Sequence, residues 1–100
     1  MAKKLPPVHP GEILREEFLV PLSLTPYAVA QACAVPRTRI GRLAREEAAV
    51  TADTALRLGR YFGTTATFWM NLQTQYNLEM AEDKTASDLK RIKPAKRITA

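Results

Sequence analysis

The stretch VPRTRIGRLAREEAAVT, Val35–Thr51, decides how this chain folds and what it can touch. Arg37, Arg39, Arg42 and Arg45 fall within nine residues with no acid among them, and Glu46 and Glu47 follow at once. Ile40 and Leu43 stand three apart, and with Val35 they can form one apolar side of a short helix. Arg37, Thr38, Arg42 and Arg45 are left on the other side. Such a face is either a solvated helix surface or a surface built to meet a polyanion, and its neighbours choose between the two.

Upstream, Thr25-Pro26 makes an N-cap followed by proline at the first helical position, where the missing N–H costs nothing. The helix that follows reads YAVAQACA. Val35-Pro36 then restarts a helix after only a residue or two, because proline disfavours the α region for its predecessor but suits a first turn. Two short helices therefore meet at a tight corner. Small Ala30 lets them cross closely, and residue 34 sits in the turn, where glycine would be easiest. It is alanine here, so a left-handed turn carries strain of about 1 kcal/mol.

The flanks supply the rest of the body. After a proline-rich leader, GEILREEF puts Ile13, Leu14 and Phe18 on one helical face with Glu12, Glu16 and Glu17 outside it, and Pro21 ends that helix. Thr51 caps ADTALRLGRYF, with Asp53 in the first turn, Ala55, Leu58 and Phe62 inward and Gly63 as the stop. Thr65 caps a fifth helix, ATFWMNLQTQYNLEMAE, along which Phe68, Trp69, Leu72 and Tyr76 form the longest apolar stripe. Beyond it EDKTASDLKRIKPAKRITA predicts one short helix, Ser87 to Ile92, and a basic end. No alternating run long enough for a strand occurs. The expectation is an all-α, five-helix bundle containing a helix-turn-helix, with a flexible leader over residues 1–8, the helical domain over 9–82 and a basic extension over 83–100.

Composition narrows the function. Fifteen Lys and Arg against ten Asp and Glu give a formal charge of +5, which favours polyanions without specifying one. The single cysteine, Cys33, lies among small apolar residues and reads as a packed thiol in a reducing compartment. No apolar run reaches the roughly 18 residues needed to cross a bilayer, and MAKKLPPVHP has no apolar region behind its lysines, so a soluble, cytoplasmic protein is expected. His9 has no cysteine or acid cluster at ligand spacing, so it reads as a residue at the start of helix one and no metal is expected. Glu12, Glu16 and Glu17, without a histidine partner, a phosphate loop or an activated nucleophile, read as a solvated face. No enzyme and no cofactor is expected.

HPGEILREEFLVPL, VPRTRI and TADTALRLGRYFGTTATFWMNLQ, taken together, resemble the HigA-type antitoxins, also called virulence-associated protein I, of the lambda-repressor-like (Xre) superfamily. The resemblance runs from His9 to about Glu79. It implies a homodimeric, sequence-specific repressor of its own operon, sited on the nucleoid when bound to palindromic operator DNA, and neutralising a HigB-type, mRNA-cleaving toxin. Carried across, the family's positions put Arg37, Thr38 and Arg42 on base edges in the major groove and Pro36, Arg39 and Arg45 beside the phosphates. Arginine can donate two parallel hydrogen bonds to guanine, and threonine can bond a base or touch a thymine methyl. Part of the stripe from Phe68 to Met80, with Trp69, Leu72 and Tyr76 as its anchors, is implied as the dimer interface.

Two departures set up an alternative. Where the family has Asn-Gly followed by a basic residue, this chain has Arg45-Glu46-Glu47, and where it has a phosphate-bonding glutamine, this chain has Pro26. Both changes fall on contacts that position the protein, not on those that read bases. They predict weaker affinity than the family's norm unless Lys3, Lys4 or the basic tail restores it. The alternative is a toxin-binding protein with weakened or lost DNA binding.

Overall fold

The structure, a computed structural model, describes residues 5–96. The expectations placed on Lys3, Lys4 and residues 97–100 lie outside them. The described residues are all-helical, with no strand among them. α1 (Pro10–Ile13) runs without a break into a π-helical stretch, Leu14–Leu19; α2 (Pro26–Cys33), α3 (Arg37–Ala44), α4 (Ala52–Phe62) and α5 (Ala66–Lys90) follow.

The helix starts lie where side-chain chemistry puts them. His9, Thr25, Thr51 and Thr65 each accept a hydrogen bond from a first-turn N–H, capping α1, α2, α4 and α5. α3 alone has no side-chain cap. Its N-cap is Pro36, one residue earlier than the first-turn position expected for it, and its first turn holds no acid. The positive end of that helix dipole is left uncompensated beside the arginines.

Two elements differ from the sequence-based expectation. Leu14 and Leu19 are both buried five residues apart, and the wider turn that holds them on one face is closed by the i→i+5 bond from Val20 N–H to the Arg15 carbonyl at 3.0 Å. An ordinary helix was expected there. The fifth helix does not stop near Glu82 and restart at Ser87, but continues unbroken to Lys90, since no proline or glycine interrupts it before Pro94. Beyond Met80 its residues are largely exposed, so its last turns stand away from the body.

The core is a single cluster in which Leu14, Val29, Ile40, Leu43, Leu58 and Trp69 are almost wholly buried. Ala30 is buried at the crossing of α2 and α3, as its size requires. Phe18, Phe62, Phe68 and Trp69 pack around one another with ring centroids 4.8–6.4 Å apart. Trp69 donates its indole N–H to Thr64 Oγ1 at 2.8 Å. Gln73 is the one buried side-chain amide among the described residues, accepting from Val50 N–H at 2.7 Å and donating to Asn77 at 2.9 Å, which ties α5 to the strap ahead of α4. Gly11 brings α1 onto the end of α3, where a methyl group would lie 1.9 Å from the Leu43 carbonyl oxygen.

Candidate nucleic-acid interface

The corner is built by backbone geometry. Ala34 takes φ 58°, its N–H bonds to the Gln31 carbonyl at 3.2 Å, and the Val35 N–H reaches back to Ala30 at 3.0 Å. This pair of bonds closes a helix C-terminus around a left-handed residue, the motif that normally recruits glycine. It turns the chain sharply enough for α3 to leave α2 and present its polar side outward. The same pair closes α3 itself: Glu46 has φ 65°, with its N–H on Leu43 at 2.9 Å and the Glu47 N–H on Arg42 at 2.8 Å.

Each turn is braced by an arginine from another helix. Arg57 of α4 donates to the Cys33 carbonyl at 2.8 Å and binds Asp53 at 2.9 Å, while Asp53 also holds Arg39. These two guanidiniums, Arg57 foremost, keep the Asp53 carboxyl below the usual range. Arg15, from the π-helical stretch, donates to the Ala44 carbonyl at 2.6 Å and to Glu46 at 3.1 Å, and also pairs with Glu16 at 3.0 Å. Its pairing, with Glu16 first and Glu46 second, raises its already high pKa.

On the outward side Pro36, Arg37, Thr38, Arg39, Arg42 and Arg45 are all exposed, while Ile40 and Leu43 are 1 % exposed and face the core. Their partners differ. Arg39 turns to Asp53, Arg45 pairs with Glu47 at 3.2 Å, and Arg42 donates to the Glu47 carbonyl at 3.2 Å. Arg37 has no carboxylate partner among the described residues, and its guanidinium carbon lies 5.8 Å over the ring of Tyr27, at the start of α2. A cleft of about 450 Å³ separates α3 from the strap that follows, with Thr38, Arg39, Arg42, Thr51 and Asp53 in its wall. Glu46 and Glu47 are therefore each spent on an arginine rather than left as bare anions, with Glu46 on Arg15 and Glu47 on Arg45.

The remaining sequence candidates sort plainly. His9 caps α1 by accepting from Gly11 N–H at 2.9 Å and meets Tyr76 edge to face at 4.8 Å, and burial lowers its pKa. Cys33 is buried, and burial pushes its thiol pKa up. Among the described residues no group of three or more His, Cys, Asp or Glu could hold a metal, and no helix is long and apolar enough to cross a membrane. Trp69 requires a correction: its ring is fully buried within one chain and offers no surface to a second subunit. Leu72 and Tyr76 keep partial exposure. Sequence reading missed Arg15, Asp53 and Arg57 as braces, Gln73 as a buried tie and Tyr27 beside Arg37. Only Asp53 and Arg57 carried a signal, their i, i+4 spacing.

No protein-family model matches the chain. It is 52 % identical over 84 residues to virulence-associated protein I of Dichelobacter nodosus, which covers 84 % of this chain and 78 % of that one. It is 34 % identical to antitoxin HigA-1 of Vibrio cholerae, covering 88 % and 83 %. Among solved structures it is similar to the Pseudomonas aeruginosa antitoxin HigA with the higBA promoter, with a TM-score of 0.86, 44 % identity, and coverage of 90 % of this chain and 99 % of that one. With a corner of the expected geometry, an outward arginine helix and relatives matched over most of their length, the chain belongs to the HigA-type (virulence-associated protein I) antitoxins of the lambda-repressor-like helix-turn-helix superfamily.

Proposed function

We propose that this chain is the antitoxin of a type II toxin–antitoxin pair and a sequence-specific repressor of its own operon. The observation that carries the reading is the exposed row Arg37, Thr38 and Arg42 on a short helix fixed at both ends, in a fold similar to a HigA antitoxin solved with promoter DNA. It works by binding, with no catalytic step. Arg37, Thr38 and Arg42 read base edges in the major groove. The uncapped start of α3 at Pro36 lies against the phosphates, together with Arg39 and Arg45 once they exchange their carboxylates for the backbone.

The unit that binds is a homodimer in the cytoplasm, with Leu72 and Tyr76 on the shared face and two recognition helices roughly 34 Å apart on a palindromic operator. The protein partner is a HigB-type, mRNA-cleaving toxin. The pairing of Glu46 with Arg15, which the proposed contacts leave in place, supports DNA binding over its loss, because a paired carboxylate repels phosphate less than a bare one.

Titration of the chain against its own upstream region and a scrambled duplex, across a salt series, tests this reading. Binding should weaken with salt yet keep its preference. Arg42→Ala should cost about 1–3 kcal/mol on the cognate site and leave the scrambled duplex nearly unaffected. Equal affinity of the unaltered chain for both duplexes, with toxin binding retained, would leave only the toxin-binding role.

A further inference from the structure

Of the four outward arginines on α3 and its C-cap, three give donors to oxygen acceptors in the free protein, Arg39 to Asp53, Arg45 to Glu47 and Arg42 to the Glu47 carbonyl. Arg37 is held differently. Its guanidinium lies over the Tyr27 ring at 5.8 Å, and Tyr27 is 51 % exposed at the second position of α2. The distinction has a chemical consequence. A carboxylate holds a guanidinium by occupying the in-plane N–H groups that a guanine would need, whereas an aromatic face attracts the cation and leaves those donors free.

We propose that Tyr27 is a positioning residue for base reading: its ring holds the Arg37 guanidinium beside the start of α3, pre-oriented and with its donors unspent for guanine O6 and N7. The inference rests on Arg37 reading a base, as proposed above. Its location fits the task. Tyr27 follows Pro26, which has neither a side-chain donor nor an N–H, so the start of α2 bears on the interface through the ring. The capped first turn of α2 and the braced corner at Ala34 fix the ring relative to α3. Immobilising a four-torsion side chain before binding removes part of the entropy cost of association.

The test uses the full-length chain and the duplex it enriches from a randomised DNA library, with single-base variants of that duplex. Arg37→Ala first identifies the base pair whose preference it abolishes. Tyr27→Ala should then lower the preference at that pair about two- to fivefold, the size of an exposed cation–π contact, and leave preferences at the other positions intact. Tyr27→Phe should retain the preference, and Tyr27→Ala should add nothing in the Arg37→Ala background. Thermal melts should show both Tyr27 variants folded, since the side chain is half exposed.

A uniform loss across all duplexes, loss in Tyr27→Phe equal to that in Tyr27→Ala, or full additivity with Arg37→Ala would each overturn the positioning role while leaving the repressor reading intact. An Arg37→Ala chain with unchanged preference at every base pair would overturn the base-reading assignment of Arg37 and this inference with it. Failure of the unaltered chain to enrich any duplex would overturn operator reading itself.

Discussion

The turns at the two ends of the recognition helix share one backbone motif and differ in what surrounds them. At Ala34 the left-handed residue is small and exposed, and Arg57 binds the carbonyl just before it. At Glu46 the left-handed residue is charged, its side chain is held by Arg15, and α1 presses on the same turn through Gly11. The left-handed residue of the first turn has no side-chain partner of its own; that of the second sets an ion pair against its strain. Both ends of α3 thus carry an arginine-to-carbonyl brace, and the C-terminal end adds the packing of α1 and an ion pair.

The largest effect that separates the two ends is expected at Gly11. A Cβ there would sit 1.9 Å from the Leu43 carbonyl, which also accepts the Glu46 N–H, so α1 and the end of α3 must move apart. Gly11→Ala should cost about 3 kcal/mol in denaturant unfolding, at the upper end for overpacking. A cost below about 1 kcal/mol would mean that α1 slides freely, and the contrast between the two ends would go with it.

The next effect has the opposite sign. Ala34→Gly removes the left-handed strain and deletes no side-chain contact, while glycine costs some entropy in the unfolded chain. The net gain should be about 0.5 kcal/mol, seen as a rise in Tm of roughly 2–4 °C. An unchanged melt would show that the Arg57 brace already holds this conformation at no cost.

How much of this was legible follows from the range of each interaction. The caps at Thr25, Thr51 and Thr65, the glycine stop at Gly63 and the corner at residue 34 are local, so spacing alone located them. The outward arginines were legible because Ile40 and Leu43 fix which side of α3 is buried. The braces were not. Arg15 meets Ala44 and Glu46 across 29 and 31 residues, and no periodicity encodes such a meeting. Glu46 and Glu47 therefore read as bare anions when the fold gives each an arginine. Trp69 was misassigned to a subunit interface because an apolar stripe does not say which of its members the chain's own core consumes. The widened turn after Ile13 was hidden for a related reason, since Leu14 and Leu19 at a spacing of five match no ordinary helical face.

The smallest effect on stability belongs to Glu46→Gly, and its size is what makes it informative. Glycine relieves left-handed strain of about 1 kcal/mol, but it costs some entropy in the unfolded chain and the exchange gives up a half-exposed ion pair with Arg15, worth roughly 0–1 kcal/mol. These contributions nearly cancel, so Tm should move by less than about 2 °C, in contrast to the rise in Ala34→Gly under the same conditions. DNA binding should respond where stability does not. Loss of one carboxylate at the end of α3 frees Arg15 and adds one positive charge to the surface nearest the phosphates. Affinity should rise at low salt for operator and scrambled duplex alike, and the dependence of log K on log salt should steepen by no more than about one. A gain confined to the operator would place Glu46 among the residues that choose a sequence. A clear fall in Tm would show that the Arg15 pair outweighs the strain of the turn it closes.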